Sequence, residues 1–211
     1  MSGQIDYSIY LVTDEKCLRG RSLLTCVEAA LRGGVTLLQY RGKNCSSAQM
    51  YEQALQLKRL CDKYRVPLII NDRLDIALAV HADGVHLGQD DLPCRVARQI
   101  CGNDLLIGVS AHNVAEAMQA QADGADYLGS GAVFGSSTKN DVDTLGLSQL
   151  AAICGSVDLP VVGIGGIQTD NYQKVLAAGA RGAAIVSGIL GADDIAGTVH
   201  TLQNIYKQQQ K

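Results

Sequence analysis

Short runs rich in Val, Ile and Leu alternate with longer stretches of helical spacing from one end of the chain to the other. Runs of about four to eight such residues, bounded by Gly, Pro, Asn or Asp, read as buried strands. Apolar residues recurring every three or four positions read as helices. The pattern predicts strands over Tyr7–Val12, Val35–Arg41, Pro67–Asn71, Gly84–Leu87, Leu106–Ser110, Tyr127–Phe134, Val161–Ile164 and Ala183–Ser187. Between them it predicts helices over Leu23–Arg32, Ala48–Tyr64, Arg73–Val80, Cys94–Ile100, Val114–Ala122, Leu147–Ile153, Asn171–Ala178 and Asp193–Lys207. Strands that alternate with helices pair in parallel through right-handed crossovers. Eight such units predict an α/β fold, a single-domain (β/α)8 TIM barrel over residues 1–211 with residues 1–6 as a short N-terminal tail. An open doubly wound sheet is the other arrangement the alternation allows.

Glycines punctuate the pattern. Gly33-Gly34, Ala82-Asp83-Gly84, Ala122-Asp123-Gly124 and Ala178-Gly179-Ala180 each precede a predicted strand and read as helix stops, because glycine enters the left-handed conformation freely. With 23 Gly and 3 Pro among 211 residues, the composition suits many tight strand-to-helix turns. A formal charge of −3 supplies no global attraction to nucleic acid or to an anionic membrane. Cys17, Cys26, Cys45, Cys61, Cys94, Cys101 and Cys154 are odd in number and lack metal-ligand spacing, so they read as small core residues of a reducing compartment. No basic-then-apolar leader opens the sequence, and charge interrupts every long apolar stretch. The expectation is a cytoplasmic protein with no membrane or nucleic-acid partner. The oligomeric state, including a homo-oligomer, is left open.

In a (β/α)8 barrel, chemistry gathers at the C-terminal ends of the strands. The second strand ends Gln39-Tyr40-Arg41-Gly42-Lys43, and side-chain alternation puts Gln39, Arg41 and, if the strand continues, Lys43 on one face with Leu37. Two cations there would form a diphosphate receptor or decorate a solvated rim. Asp72 follows the third strand after Asn71, and Asp91 follows the fourth. Neighbouring strand ends could aim both carboxylates at one magnesium ion, or each could cap the helix that follows. Ser110 ends the fifth strand as a hydroxyl donor or a cap. His112 reads as a loop histidine, and His86, inside the fourth strand, as a structural one. The longest loop carries Ser136, Ser137, Thr138 and Lys139. It is either a phosphate-holding lid or an ordinary polar loop. Gly165 and Gly166 after the seventh strand, with Val186 and Ser187 at the end of the eighth, stand where this fold often binds phosphate.

Gln39-x-Arg41-x-Lys43, Asn71-Asp72, His86-Leu87-Gly88-Gln89-Asp90-Asp91, Gly108-Val109-Ser110, Thr138-Lys139, Gly163-Ile164-Gly165-Gly166-Ile167 and Val186-Ser187 together resemble the thiamine-phosphate synthase family, in order and across nearly the whole chain. The resemblance implies a transferase that condenses 4-amino-2-methyl-5-hydroxymethylpyrimidine diphosphate with a thiazole phosphate, releasing diphosphate. It assigns Gln39, Tyr40, Arg41, Gly42, Lys43, Asn71, Ser110 and Lys139 to the pyrimidine diphosphate. Ser136, Ser137, Thr138, Gly166, Val186 and Ser187 fall to the thiazole phosphate. Asp72 and Asp91 would hold one Mg2+ per subunit, and Arg41, Lys43, Ser110 and Lys139 would act in catalysis. Gly135-Ser136 stands where the family usually has Pro-Thr, which loosens the loop. A thiazole tautomerase paralogue and a non-catalytic phosphate- or thiamine-binding regulator are the rival expectations on the same barrel.

Overall fold

The computed structural model describes residues 5–135 and 144–209. Eight parallel strands pair in chain order: β1 (Ile9–Val12), β2 (Leu37–Tyr40), β3 (Leu68–Asn71), β4 (Gly84–Leu87), β5 (Leu106–Ser110), β6 (Tyr127–Gly131), β7 (Val161–Ile164) and β8 (Gly182–Ile185). β8 pairs back onto β1, with Tyr10 opposite Ala184, so the sheet closes into the predicted barrel. Around it lie α1 (Leu23–Gly33), α2 (Ser47–Tyr64), α3 (Leu74–Ala79), α4 (Cys94–Cys101), α5 (Val114–Ala122), α6 (Gly146–Cys154), α7 (Tyr172–Ala177), α8 (Ser187–Leu190) and α9 (Ile195–Gln209).

Alternation along each strand splits the apolar residues into two layers. Tyr10, Val12, Leu37, Ile69, Tyr127, Val162 and Ala184 fill the barrel interior. Ile9, Leu11, Leu38, Tyr40, Leu68, Ile70 and Leu128 point outward and pack under the helices. All seven cysteines are free thiols, buried or half-buried. Among the described residues no helix is long and apolar enough to cross a membrane.

The N-terminal ends of alternate strands are latched by a residue of the next unit. Thr36 Oγ1 accepts from the Ile9 N–H at 3.0 Å, Asp83 Oδ2 from Leu68 at 2.8 Å, and Asp126 Oδ2 from Ile107 at 2.7 Å. Lys58 and Arg98 neutralise the two carboxylates from the helix layer. This closed end of the barrel carries stability, and the other end is free for chemistry.

Three expectations need correction. β8 ends at Ile185, because Val186 leaves extended geometry (φ −107°, ψ −86°) and Ser187 opens the short helix α8. β6 stops at Gly131, where a side chain would collide with the Ile164 carbonyl as Val133 and Phe134 hydrogen-bond to Ile164 and Gly165. Gly84 is not a helix stop but the first residue of β4, where a Cβ would lie 2.5 Å from Leu106 O. The left-handed residue after α3 is His81, at φ 52°. Gly34, Gly124 and Gly179 do take positive φ, as expected.

Candidate active site

The open end of the barrel begins with β1 and β2. Gln39 points inward and is buried, whereas Tyr40 points outward and donates its hydroxyl to Gln53 of α2. Tyr40 can therefore serve the mouth only through its backbone. After Tyr40 the strand ends and the chain turns onto β1: Arg41 N donates to Thr13 Oγ1 at 2.9 Å. The Arg41 guanidinium meets Asp14 Oδ2 at 3.0 Å, while Asp14 Oδ1 accepts from Lys16 N. Beyond Gly42, the Lys43 ammonium reaches across to Asp72 Oδ2 at 2.7 Å.

Neither aspartate caps a helix through its side chain. α3 begins after Arg73 and α4 after Pro93, both without a side-chain cap. Asp72 is held instead at φ 63°, with its N–H donating to His86 O at 2.8 Å, which joins the ends of β3 and β4. Asp91 folds back and accepts from Gly88 N at 2.7 Å. Burial raises the Asp91 carboxyl above its ordinary range; the Gly88 hydrogen bond opposes this and the adjacent Asp72 carboxyl reinforces it. Two carboxyls in contact, with a lysine on one of them, form a place that favours added positive charge. Asn71, half-buried, has inward parity one residue before Asp72.

At β4, β5 and β6 the interior is polar. His86 Nε2 lies 3.1 Å from Ser110 Oγ, and His86 Nδ1 lies 3.1 Å from the Tyr127 hydroxyl. Burial pushes the imidazole down to about 4, the nearby Asp72 only partly opposing it, so the ring is neutral at pH 7. Gln89 Nε2 donates to Ser110 O at 2.6 Å, and His112 pairs with Glu116 on the exposed side. Among residues the sequence reading missed, Asp14 follows a strand end as Asp72 and Asp91 do. Tyr10 and Tyr127 looked like apolar core.

At β7 and β8 the backbone dominates. Gly165 and Gly166 take φ 101° and 64°, and a Cβ on Gly166 would approach Gly135 O to 2.8 Å. The loop after β7 thus packs on the residue that opens the 136–143 segment. Ser136, Ser137, Thr138 and Lys139 lie outside the described residues. Ser187 is exposed at the start of α8, and Gly188 packs against Ile167 O. Arg21 secures the other end of α8, donating to Ala192 O at 2.8 Å and to Leu190 O.

The described residues thus bring together Lys43, Asp72 and Asp91, and link Gln39 to Ser110 through buried side chains. Arg41 pairs with Asp14. Cations, paired carboxylates and backbone turns at one barrel end suit phosphorylated ligands. The family described as thiamine monophosphate synthase matches residues 9–189. The chain belongs to that family. It is 49% identical to a thiamine-phosphate synthase of Clostridium acetobutylicum, over 97% of each chain. It is 51% identical to one of Clostridium novyi, over 95% of this chain and 99% of the relative. Thiamine phosphate pyrophosphorylase from Pyrococcus furiosus has the same fold, with a TM-score of 0.91 at 39% identity and 98% of both chains covered. The family is one of transferases, and this chain is an enzyme of that class.

Proposed function

We propose that this family member joins 4-amino-2-methyl-5-hydroxymethylpyrimidine diphosphate to 4-methyl-5-(2-phosphoethyl)thiazole, giving thiamine phosphate and diphosphate, or to its carboxylated form with loss of carbon dioxide as well. The observation that carries the reading is the contact of Lys43 with Asp72 beside Asp91 at the ends of β3 and β4. The methylene C–O bond breaks with its electron pair leaving on diphosphate, and the thiazole nitrogen then supplies the pair for the new C–N bond. The electron-rich aminopyrimidine spreads the positive charge on its methylene, so the displacement is dissociative and needs no enzyme nucleophile.

Arg41, Lys43 and Lys139 receive the diphosphate, Arg41 in the bidentate manner open to a guanidinium. Gln39, Asn71, Ser110 and the backbone of Tyr40 and Gly42 orient the pyrimidine. Ser136, Ser137, Thr138, Gly166, Val186 and Ser187 receive the thiazole phosphate. Two carboxylates suit magnesium, which takes one or two of them and completes its shell with water and phosphate oxygens. Asp72 and Asp91 would hold it. When bound, it would neutralise charge on the departing diphosphate. The reaction belongs in the cytoplasm, a placement supported by the free cysteines.

The test mixes purified protein with both phosphorylated precursors, with and without magnesium, and reads thiochrome fluorescence after oxidation. Magnesium-dependent thiamine phosphate is the expected result. Ligand binding without product would overturn the synthase reading in favour of a regulator.

A further inference from the structure

A row of hydrogen bonds crosses the barrel interior from β2 to the end of β5. Gln39 Nε2 lies 2.7 Å from the Tyr10 hydroxyl, which lies 2.8 Å from the Tyr127 hydroxyl. Tyr127 meets His86 Nδ1, and His86 Nε2 meets Ser110 Oγ, each at 3.1 Å. Gln39, Tyr10, Tyr127 and His86 are 4%, 1%, 0% and 8% exposed; Ser110 alone is half-exposed. Polar groups this deep cost free energy unless each is paired, so an apolar filling would be the simpler way to pack the space. The room is built for them. A Cβ at Gly108 would stand 2.5 Å from His86 Nδ1, and one at Gly129 would stand 3.0 Å from His86 Cε1.

The pairing runs in one direction. An amide nitrogen only donates, so the Tyr10 hydroxyl accepts from Gln39 and passes its own hydrogen to Tyr127. Tyr127 in turn donates to Nδ1. A neutral imidazole that accepts at Nδ1 carries its hydrogen on Nε2, and Ser110 Oγ accepts that one. The hydrogen left over is that of the Ser110 hydroxyl, on the most exposed member of the row.

We propose that Tyr10, Tyr127 and His86 are positioning residues that make Ser110 a one-way donor, directed at a ring nitrogen of the bound pyrimidine. The proposal rests on the reading that Ser110 meets the pyrimidine. The three residues act only through Ser110.

Nuclear magnetic resonance of protein labelled with 15N-histidine, recorded at neutral pH without ligand, reads the tautomer directly. The His86 signals are identified by their loss in His86→Asn. The expected spectrum has the hydrogen on Nε2 and a bare Nδ1, and Tyr127→Phe abolishes that bias. In assays of thiamine phosphate formation, Tyr127→Phe and Ser110→Ala each lower kcat about tenfold, the scale of one neutral hydrogen bond. The KM for the thiazole phosphate stays unchanged, and the double variant loses no more than Ser110→Ala. Should Tyr127→Phe fold poorly, Tyr10→Phe breaks the row one link earlier with the same expected pattern. A hydrogen on Nδ1, or losses that multiply in the double variant, would overturn the relay while leaving the synthase reading intact. Wild-type protein that makes no thiamine phosphate, yet carries the Nε2 hydrogen, would overturn the substrate reading instead.

Discussion

The Lys43 ammonium rests 2.7 Å from Asp72 Oδ2, so a cation expected to grip diphosphate lies on a carboxylate expected to hold a metal. The two groups are each other's counter-ions until ligands arrive. Binding of a divalent ion would displace Lys43 from Asp72 and free it for phosphate oxygens. Lys43→Met should therefore raise the magnesium affinity of substrate-free protein several-fold, because a competing cation is gone. It should also lower turnover about a hundredfold, the usual scale for a lost electrostatic contact. Calorimetric titration with magnesium, set beside the thiochrome assay, reads both effects. Weaker magnesium binding in the variant would count against the exchange.

His86 makes stability depend on pH. Its imidazole, taken down to about 4 by burial, has an ordinary value near 6.5 in the unfolded chain. The unfolded state therefore binds the proton first. The stabilising contribution is present above about pH 6.5 and is lost as pH falls through the folded value, about 3 kcal/mol by pH 4. Guanidinium unfolding between pH 7 and pH 4 should show that decline, and His86→Gln should flatten it. An equal slope in the variant would assign the decline to other groups.

Gly129 lies against the imidazole, where a Cβ would sit 3.0 Å from Cε1 and 3.3 Å from Nε2. The ring is held on both nitrogens and has little room to yield. Gly129→Ala should cost about 1–3 kcal/mol by overpacking and displace the hydrogen bond to Ser110. Denaturant midpoints measure the first effect and the His86 nitrogen shifts the second.

The opposite end of the barrel should behave differently. Asp83 accepts from Leu68 N and faces Lys58, so Asp83→Ala leaves a buried N–H without its partner and Lys58 with Asp62 alone. A loss of about 1–3 kcal/mol is expected, with kcat unchanged in the protein that remains folded. A fall in kcat with unaltered stability would show that this end is not merely structural.

The barrel was legible because apolar runs and helical spacing alternate without interruption, and six strands begin or end where the pattern places a boundary. The exceptions have local causes: Val186 breaks β8 before Ser187, and Gly131 ends β6 where β7 approaches closely. Arg41, Lys43, Asp72 and Asp91 stood out as polar residues directly after apolar runs. Tyr10 and Tyr127 did not, because a tyrosine inside a strand looks like core and their contact spans 117 positions. Asp14 carried the same signal as Asp72, an acidic residue close behind an apolar run.

Arg21 donates to carbonyls 169 and 171 positions later in the chain, at the far end of α8. During synthesis the guanidinium emerges early and waits for almost the whole polypeptide before its acceptors exist. A ribosome-bound fragment that stops before Leu190 contains all eight strands but lacks the carbonyls that seat α8. The last piece of the mouth is completed only when the beginning of the molecule reaches back to clasp it.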